Sequence, residues 1–293
     1  MIKIDTTQDI IFKLFCYVLV SFIVICCFYP FWDVVILSIS DRAQAVVGGF
    51  RFPTRNSTLQ AYRDILNSTE IWNGFKNSVV RVITGTLLGV FLTTLTAYPL
   101  SKRQMPFNKL FTALVLFTMI FGGGLIPTYL LYKNLGLINK LWALILPGAV
   151  GAYNLILMRN FLSSIPDSLE ESATIDGASY LQIWFRIVLP LSKPIIATIG
   201  LWIAVAHWNA YFDAMIYMQR RILYTLPVIL RRILMENELD KYMPGALENV
   251  NIRMTPESTK AAIMVISIVP IVCVYPFVQK YFTKGIMLGA VKG

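Results

Sequence analysis

This sequence of 293 residues contains few of the residue patterns that form metal sites, catalytic triads or nucleotide-binding loops. His207 is the only histidine, so the chain supplies neither a cluster of imidazole metal ligands nor a Ser-His-Asp triad. The four cysteines lie inside long apolar runs, where we expect small apolar fillers rather than disulfide partners. No G-x-x-x-x-G-K-[ST] segment occurs, which excludes the P-loop route to nucleotide binding. The sequence therefore predicts no catalytic residue, no metal site and no cofactor bound by this chain.

A short segment rich in acidic and turn-forming residues, 163–194, lies between two apolar runs. Pro166 and Asp167 suit a first helical turn, because proline needs no hydrogen-bond acceptor there and an acid complements the helix dipole. Ser164 is predicted to cap this helix, and Gly177 is predicted to end it. The segment therefore begins with a short helix.

Small and acidic residues cluster on that helix, namely Glu170, Glu171, Leu169, Ala173 and Asp176. Leu169, Ala173 and Asp176 are four and three residues apart, so they share one face. A second helix is predicted over 180–189, with Pro190 as its stop. Two helices joined at a glycine form a compact elbow, a shape suited to mechanical contact with a soluble partner.

The elements that hold this segment are long apolar runs. Hydrophobic residues make up 56% of the chain and charged residues 14%, against roughly 25% charged in a soluble domain. Each run approaches the ~20 residues needed to cross a bilayer and lacks the polar stripe of a soluble helix. The predicted fold is an all-α, polytopic membrane domain over 1–293. Its six transmembrane helices cover about 14–32, 82–100, 110–132, 141–158, 194–217 and 260–280.

The basic residues give the chain a net charge of +10. Because they flank the runs, we interpret them as interfacial anchors rather than as a nucleic-acid site. Lys and Arg divide almost evenly between the two sides of the bilayer. The loop 101–109, with three basic residues and no acid, favours the cytoplasm weakly. The first run is predicted to be a retained helix rather than a signal peptide, because it is long, ends in the bulky residues 28–32 and lacks a small-residue cleavage site.

Loops and special residues complete the predicted architecture. Two outer loops cover about 33–76 and 218–258, and within the second, 226–241 is predicted to form short interfacial helices or a solvated lid. Glycines spaced for close helix contact are Gly85, Gly89 and Gly122 to Gly124. Prolines predicted to kink the spans are Pro99, Pro127, Pro147 and Pro270.

The elbow resembles the EAA loop of bacterial ATP-binding-cassette (ABC) importer permeases. The resemblance rests on Glu171-Ser172-Ala173, then Asp176-Gly177-Ala178, then Ile187-Val188-Leu189-Pro190. Ser172 replaces the usual alanine, a small change that keeps a tight contact surface. The resemblance implies a type I importer permease whose cytoplasmic coupling loop, here 163–193, docks into a cleft on an ATPase subunit.

The family's roles transfer to this chain by matching position. Glu171 would face basic residues of the ATPase, and Gly177 would make the turn between the helices. The residues that the resemblance places in ATPase coupling are Glu170, Glu171, Ala173, Asp176, Gly177, Ala178, Leu189 and Pro190. ATP and Mg²⁺ would be bound by the partner ATPase, so the chain itself would be a non-catalytic subunit.

Three further segments resemble the carbohydrate-importing branch, whose members include maltose permeases. They are 207–213, 279–293 and 122–140, and the last is similar to permeases for oligosaccharides and polysaccharide fragments such as pectin fragments and alginate. The resemblance implies a saccharide substrate. An acidic saccharide is compatible with the basic outer loops.

Aromatic rings and amides suit the C–H faces and hydroxyl groups of a saccharide. The candidates for its path are Trp202, Trp208, Asn209, Asp213 and Tyr217. Trp202, Asn209 and Asp213 are seven and four residues apart, so they share roughly one helix face. Packing of this face against a partner permease is the alternative, and His207 is predicted to serve packing or hydrogen bonding.

The resemblance also implies the assembly. The expected partners are a second homologous permease, two ATPase subunits, an extracytoplasmic solute-binding protein and the lipid bilayer, without nucleic acid. The expected location is the bacterial cytoplasmic membrane with both termini in the cytoplasm.

An ion-coupled secondary transporter is the alternative function, and it usually places ionisable groups at mid-membrane. A membrane-embedded enzyme lacks the convergent nucleophile, base or metal ligands that it would need.

Overall fold

In a computed structural model, the chain is described over residues 7–41, 52, 57–235 and 255–290, with backbone alone at 7, 275 and 277–290. All regular secondary structure in these described residues is helical. The predicted all-α fold class is therefore confirmed. The predicted helical residues 236–241 lie outside the described residues.

The helices differ widely in length, from one turn to nearly ten. In chain order they are α1 (Thr7–Ile39), α2 (Gln60–Asn67), α3 (Thr69–Ser101), α4 (Asn108–Ile120), α5 (Leu125–Asn134), α6 (Trp142–Ile145), α7 (Ala152–Leu162), α8 (Asp167–Ile175), α9 (Tyr180–Ile183), α10 (Leu189–Leu191), α11 (Lys193–Asn209), α12 (Phe212–Tyr217), α13 (Leu226–Met235) and α14 (Pro256–Ala290). Short 3-10 turns cover Leu146–Gly148 and Arg221–Leu223, and a π-helix covers Trp184–Val188.

Three helical stretches are long and apolar enough to cross a bilayer: Gln8–Ile39, Thr69–Ser101 and Pro256–Val274. Three more candidate spans are bent pairs, namely Asn108–Ile120 with Leu125–Asn134 (111°), Trp142–Gly148 with Ala152–Leu162 (47°), and Tyr180–Leu191 with Lys193–Asn209 (80°). If each bent pair crosses once, the described residues provide up to six candidate spans, the number predicted.

Glycine and proline explain only some of the breaks. α4 ends before the glycines at 122–124, and Gly124 has a φ of 79°, which costs little only for a residue without Cβ. Pro147 lies in the 3-10 turn before α7. Pro99 and Pro270, however, lie inside helices that continue through them. Pro127 stands in the first turn of α5, where proline is tolerated.

The described residues divide into two compact units, one within 1–68 and 232–268 and the other within 69–231 and 269–293. In the first unit, the end of α1 is held by side-chain and backbone hydrogen bonds. The Ser258 hydroxyl donates to the Ser40 carbonyl (3.2 Å). This unit therefore joins the start of α14 to the end of α1.

The second unit contains a close helix pair, α3 and α11. A Cβ added at Gly85 would overlap the imidazole of His207, and one added at Gly89 would lie 3.1 Å from Cδ1 of Ile203. The predicted close helix contact is confirmed at Gly85 and Gly89. It is not found within the described residues at Gly122, where nothing lies within 4 Å of an added Cβ. Lipid tails are as apolar as the helix surfaces, so no hydrophobic effect drives helices together in a bilayer. Their association depends instead on close van der Waals packing of this kind.

The same unit has an apolar cluster near the loop end of the bundle, the end that carries 163–193. Its buried members come from α3, α7, the arm after Gly177, and α11: Ala97, Leu100, Leu155, Met158, Leu162, Ile183, Trp184, Val188, Ile199 and Ile203. Because the arm contributes three of these side chains, the second half of the elbow is part of the packed core.

We predict that Gly85→Ala destabilises the protein by about 1–3 kcal/mol, the usual cost of overpacking. His207 is 8% exposed and also accepts a hydrogen bond, so it cannot move aside freely. Thermal unfolding in detergent measures the effect. Gly148→Ala is the matched control, because nothing lies within 4 Å of its added Cβ. Equal melting temperatures for the two variants would contradict the close packing of α3 on α11.

Candidate functional site

The first helix of the elbow, α8, begins without the predicted serine cap. Pro166 is the N-cap residue and Asp167 starts the helix, with no side-chain cap hydrogen bond. The Ser164 hydroxyl instead donates to the Phe161 carbonyl (2.7 Å) at the end of α7. The predicted cap is therefore wrong. The Ser164 side chain bonds to the preceding helix, and α8 begins at Asp167, two residues later than a Ser164 cap would place it.

The turn after α8 is a closed glycine motif. Gly177 has a φ of 78°, and the Ala178 amide donates to the Ala173 carbonyl (2.9 Å) while the Gly177 amide donates to Thr174 (3.0 Å). This pair of bonds is the Schellman arrangement, which favours glycine because its central residue is left-handed. A capping box between Ser179 and Gln182 then starts α9. The predicted glycine turn is confirmed.

Two adjacent glutamates on α8 have different environments. The Glu170 carboxylate accepts a hydrogen bond from the Tyr98 hydroxyl (3.0 Å) and pairs with Lys102 Nζ (2.7 Å). Asp167 lies 3.5 Å from the same ammonium group. Glu171 is exposed and forms no ion pair with a described residue. Glu170 therefore anchors the elbow to α3, whereas Glu171 remains available to another molecule.

The last carbonyls of α3 accept hydrogen bonds from side chains of neighbouring segments. The carbonyl of Leu100 accepts hydrogen bonds from Arg159 Nε (3.0 Å) and Asn108 Nδ2 (2.9 Å). The Ser163 hydroxyl donates to the carbonyl of Ser101 (3.2 Å). The last carbonyls of a helix lack intrahelical donors, so these side chains complete its hydrogen bonding. The start of the segment 163–193 is thus bonded directly to the end of α3.

The arm after the turn is longer than predicted and is locally rewound. It runs as α9, a π-helix and α10 to Leu191, and the chain bends by 80° around Ser192. Pro190 does not stop the helix. Its missing N–H leaves one carbonyl of the preceding turn without a donor, and the π-helical bond from the Leu189 amide to the Trp184 carbonyl accommodates this.

The predicted coupling residues thus separate into an inner and an outer set. Ala173, Ala178 and Leu189 are half-buried and pack against the apolar cluster. Glu171, Asp176, Gly177 and Pro190 are exposed. Large apolar side chains also stand out from the elbow: Ile175 is 86% exposed, Tyr180 81% and Leu181 63%. Large apolar side chains that are this exposed on a loop favour a contact with another protein.

A buried ionic network lies toward the opposite end of α3, twenty residues or about 30 Å from Ser101. The guanidinium of Arg81, 3% exposed, pairs with both carboxylate oxygens of Asp213. It also donates to His207 Nδ1 (3.4 Å), the Ala210 carbonyl (3.2 Å) and the Leu144 carbonyl (3.4 Å). One arginine therefore fixes α6, the end of α11 and the start of α12 on α3.

Two more residues of α3 bind the chain beyond α12. The Asn77 amide donates to the carbonyls of Ile222 (2.7 Å) and Tyr224 (3.0 Å). The Ser78 hydroxyl accepts from the amide of Leu226, at the start of α13. The segment 210–226 is consequently attached to α3 at successive levels.

The five predicted path residues do not form one site. Asp213 lies beyond the break at Ala210 and is engaged by Arg81, so it does not share the predicted face with Trp202 and Asn209. Trp208 is buried against Phe75, and Tyr217 is buried against Tyr132. Trp202 and Asn209 remain exposed.

Sequence reasoning missed Arg81. It directly precedes the apolar run 82–100 and has the composition of an interfacial anchor. Nothing in the linear sequence connects it with Asp213, 132 positions away. The sequence shows only an isolated charge at the start of an apolar run. It does not indicate which residue pairs with that charge.

Comparisons with known proteins agree with this architecture. Residues 110–288 match the family described as binding-protein-dependent transport system inner membrane component. The polygalacturonan/rhamnogalacturonan transport system permease protein YtcP of Bacillus subtilis (strain 168) is 42% identical, over 91% of this chain and 93% of the relative. The melibiose/raffinose/stachyose import permease protein MelC of the same organism is 30% identical, over 94% of this chain and 95% of the relative.

A solved structure is similar over almost the whole chain. A chain in the crystal structure of a bacterial ABC transporter involved in the import of the acidic polysaccharide alginate superposes with a TM-score of 0.89 and 34% identity. The match covers 94% of this chain and 98% of that chain.

We predict that Arg81→Ala destabilises the protein by about 3 kcal/mol, because Asp213 loses its counter-charge. The figure lies at the low end for a broken buried pair, since the Asp213 side chain is 31% exposed. Thermal unfolding in detergent tests it, with Asp213→Asn and the double variant completing a cycle. Strictly additive effects of the two substitutions would contradict the pairing.

Proposed function

Because the chain belongs to the family of binding-protein-dependent transport system inner membrane components, we propose that it is a permease subunit of an ATP-driven saccharide importer. It is a multi-pass, all-α membrane protein. Together with a second homologous permease it would form the translocation path for an oligo- or polysaccharide. A solute-binding protein would deliver that saccharide on the outer side.

The elbow of α8, α9 and α10 is the observation that carries this proposal. It presents Glu171 and exposed apolar side chains on one side, and on the other it is anchored to α3 through Glu170. Such an elbow supplies both halves of a coupling device, a contact for a soluble partner and a stiff connection to the bundle. The proposed partner is an ATPase subunit with basic residues opposite Glu171.

ATP and Mg²⁺ are assigned to two partner ATPase subunits, and this chain performs no hydrolysis. Closure of the ATPase pair would displace the elbow, and α3 and α11 would follow because both are packed against it. The spans would turn from inward-open to outward-open. Coupling of this kind requires that the two states of the ATPases bind two different arrangements of the elbow.

The loop end of the bundle is assigned to the cytoplasm, with both termini on that side. The basic loop 101–109 supports this orientation, and Lys102 within it carries the ion pair to Glu170. The segment 218–226 would then lie on the outer side, where Asn77 and Ser78 of α3 form hydrogen bonds with it.

The proposed substrate is an acidic oligosaccharide or polysaccharide fragment. The relatives named for polygalacturonan and for alginate support an acidic substrate. The relative named for melibiose, raffinose and stachyose makes a neutral oligosaccharide the comparison to test.

The ion-coupled alternative has one structural feature in its favour, the buried group of Arg81, Asp213 and His207. Both carboxylate oxygens of Asp213 are already paired with Arg81, however, so the group serves as a structural clamp. Family membership also favours the importer.

We predict that Glu171→Gln lowers the amount of ATPase retained on the purified complex by about fivefold to tenfold, the effect of losing roughly 1 kcal/mol of charge contact. Hydrogen exchange in α8 should stay unchanged, because Glu171 has no partner among the described residues. Glu170→Gln is the matched control. It should speed exchange in α8, because it removes the charge that Lys102 pairs with. Full ATPase retention by Glu171→Gln would contradict the assignment.

Uptake by cells that express the complete transporter tests the proposed substrate. We expect ATP-dependent accumulation of labelled galacturonan oligosaccharides, with raffinose taken up at least tenfold more slowly. The control is a cell without the partner ATPase, where uptake should cease. Uptake that persists without the ATPase and stops with an ionophore would instead identify an ion-coupled carrier.

A further inference from the structure

An exposed aromatic pair lies within two candidate spans of the second unit. The rings of Tyr153 and Trp202 have centroids 5.9 Å apart and planes inclined by 33°. Tyr153 is nine residues from Leu162 at the end of α7, and Trp202 is nine residues from Lys193 at the start of α11. Each is therefore about 14 Å from the loop end, roughly half the ~30 Å hydrocarbon thickness.

The polar atoms of this pair lack a partner in the described part of the chain. Tyr153 is 58% exposed and Trp202 is 36% exposed. No hydrogen bond joins the Tyr153 hydroxyl or the Trp202 indole N–H to another described residue. A free hydroxyl in hydrocarbon costs several kcal/mol, and Tyr and Trp facing lipid concentrate at the interfaces instead. The pair is therefore placed for a polar environment rather than for lipid.

The pair lies on a face of α11 that points away from α3. Gly200, two residues and hence about half a turn from Trp202, is the residue that lies toward Val90 of α3. The exposed face of α11 carries Trp202, then Ala206 four residues further and Asn209 seven residues further, about 10 Å along the helix. Tyr153 stands at the start of α7, beside the 47° bend in its span.

We infer that Tyr153 and Trp202 form a stacking platform for a sugar ring in the translocation path, with Asn209 as a hydrogen-bonding group further along it. Aromatic faces bind the C–H face of a pyranose ring, and the phenol and indole tips can bond to its hydroxyls. The platform suits neutral and acidic sugars alike, because it carries no charge. This inference rests on the proposed function and names the saccharide contact within it.

Initial uptake rates of labelled galacturonan oligosaccharides by the complete transporter test the platform. Trp202→Ala should raise KM about tenfold, the effect of losing one stacking contact. Tyr153→Phe should raise KM about threefold, because only the hydroxyl is lost. Trp202→Phe should lie between wild type and Trp202→Ala, because a ring remains. In each case KM should change more than Vmax.

Two variants control for the chemistry of the substitutions. Tyr17→Phe removes an exposed hydroxyl near the start of the apolar run of α1, and Leu87→Ala removes an exposed apolar side chain of α3. Both should keep the wild-type KM. An unchanged KM in Trp202→Ala and Tyr153→Phe, with wild-type uptake intact, would overturn the platform alone.

Recovery of the second permease with each variant separates the remaining explanations. If Trp202→Ala reduces co-purification of that permease, the face packs between subunits and the platform is wrong. If wild-type transporter takes up neither the acidic nor the neutral saccharide, the proposed function fails and the platform fails with it.

Discussion

The arrangement of the second unit depends on a single unbroken helix. α3 contains 33 residues, about 50 Å in length, and binds other segments of the chain at two separate levels. At one end Tyr98 and Lys102 hold the elbow through Glu170, and toward the other Arg81 holds the break between α11 and α12. Backbone groups in a bilayer must be paired within the helix, so α3 cannot bend freely without losing hydrogen bonds. The elbow and the break between α11 and α12 are therefore attached to one continuous helix.

Close packing makes the neighbouring helix follow. Gly85 and Gly89 bring α11 against α3, and the imidazole of His207 fills the space above Gly85. His207 in turn accepts a hydrogen bond from Arg81. Glycine, histidine and arginine are thus parts of one contact, in which the absence of a Cβ admits the ring and the guanidinium fixes it.

The elbow divides its work between neighbouring residues. Glu170 faces inward and is satisfied by Tyr98 and Lys102, while Glu171, the next residue, faces outward. A helix turns by about 100° per residue, so adjacent carboxylates can serve different molecules. The anchored glutamate keeps the elbow rigid, and the exposed one is left for the proposed ATPase contact.

Features that depend on local interactions could be predicted from the amino-acid sequence alone. The apolar runs, the short helix of the elbow and the turn at Gly177 each follow from neighbouring residues, since hydropathy and a left-handed φ are local properties. The number of candidate spans, up to six among the described residues, also follows, because bilayer thickness sets the length of each run.

Which side chains meet became clear only from the folded chain. Ser164 bonds to the preceding helix instead of capping α8, and the break at Ala210 separates Asp213 from the face of Trp202. Arg81 with Asp213, and Tyr153 with Trp202, pair across helices that are distant in sequence. Helical periodicity fixes the face of one helix, but it does not specify the neighbour or the rotation that brings two faces together.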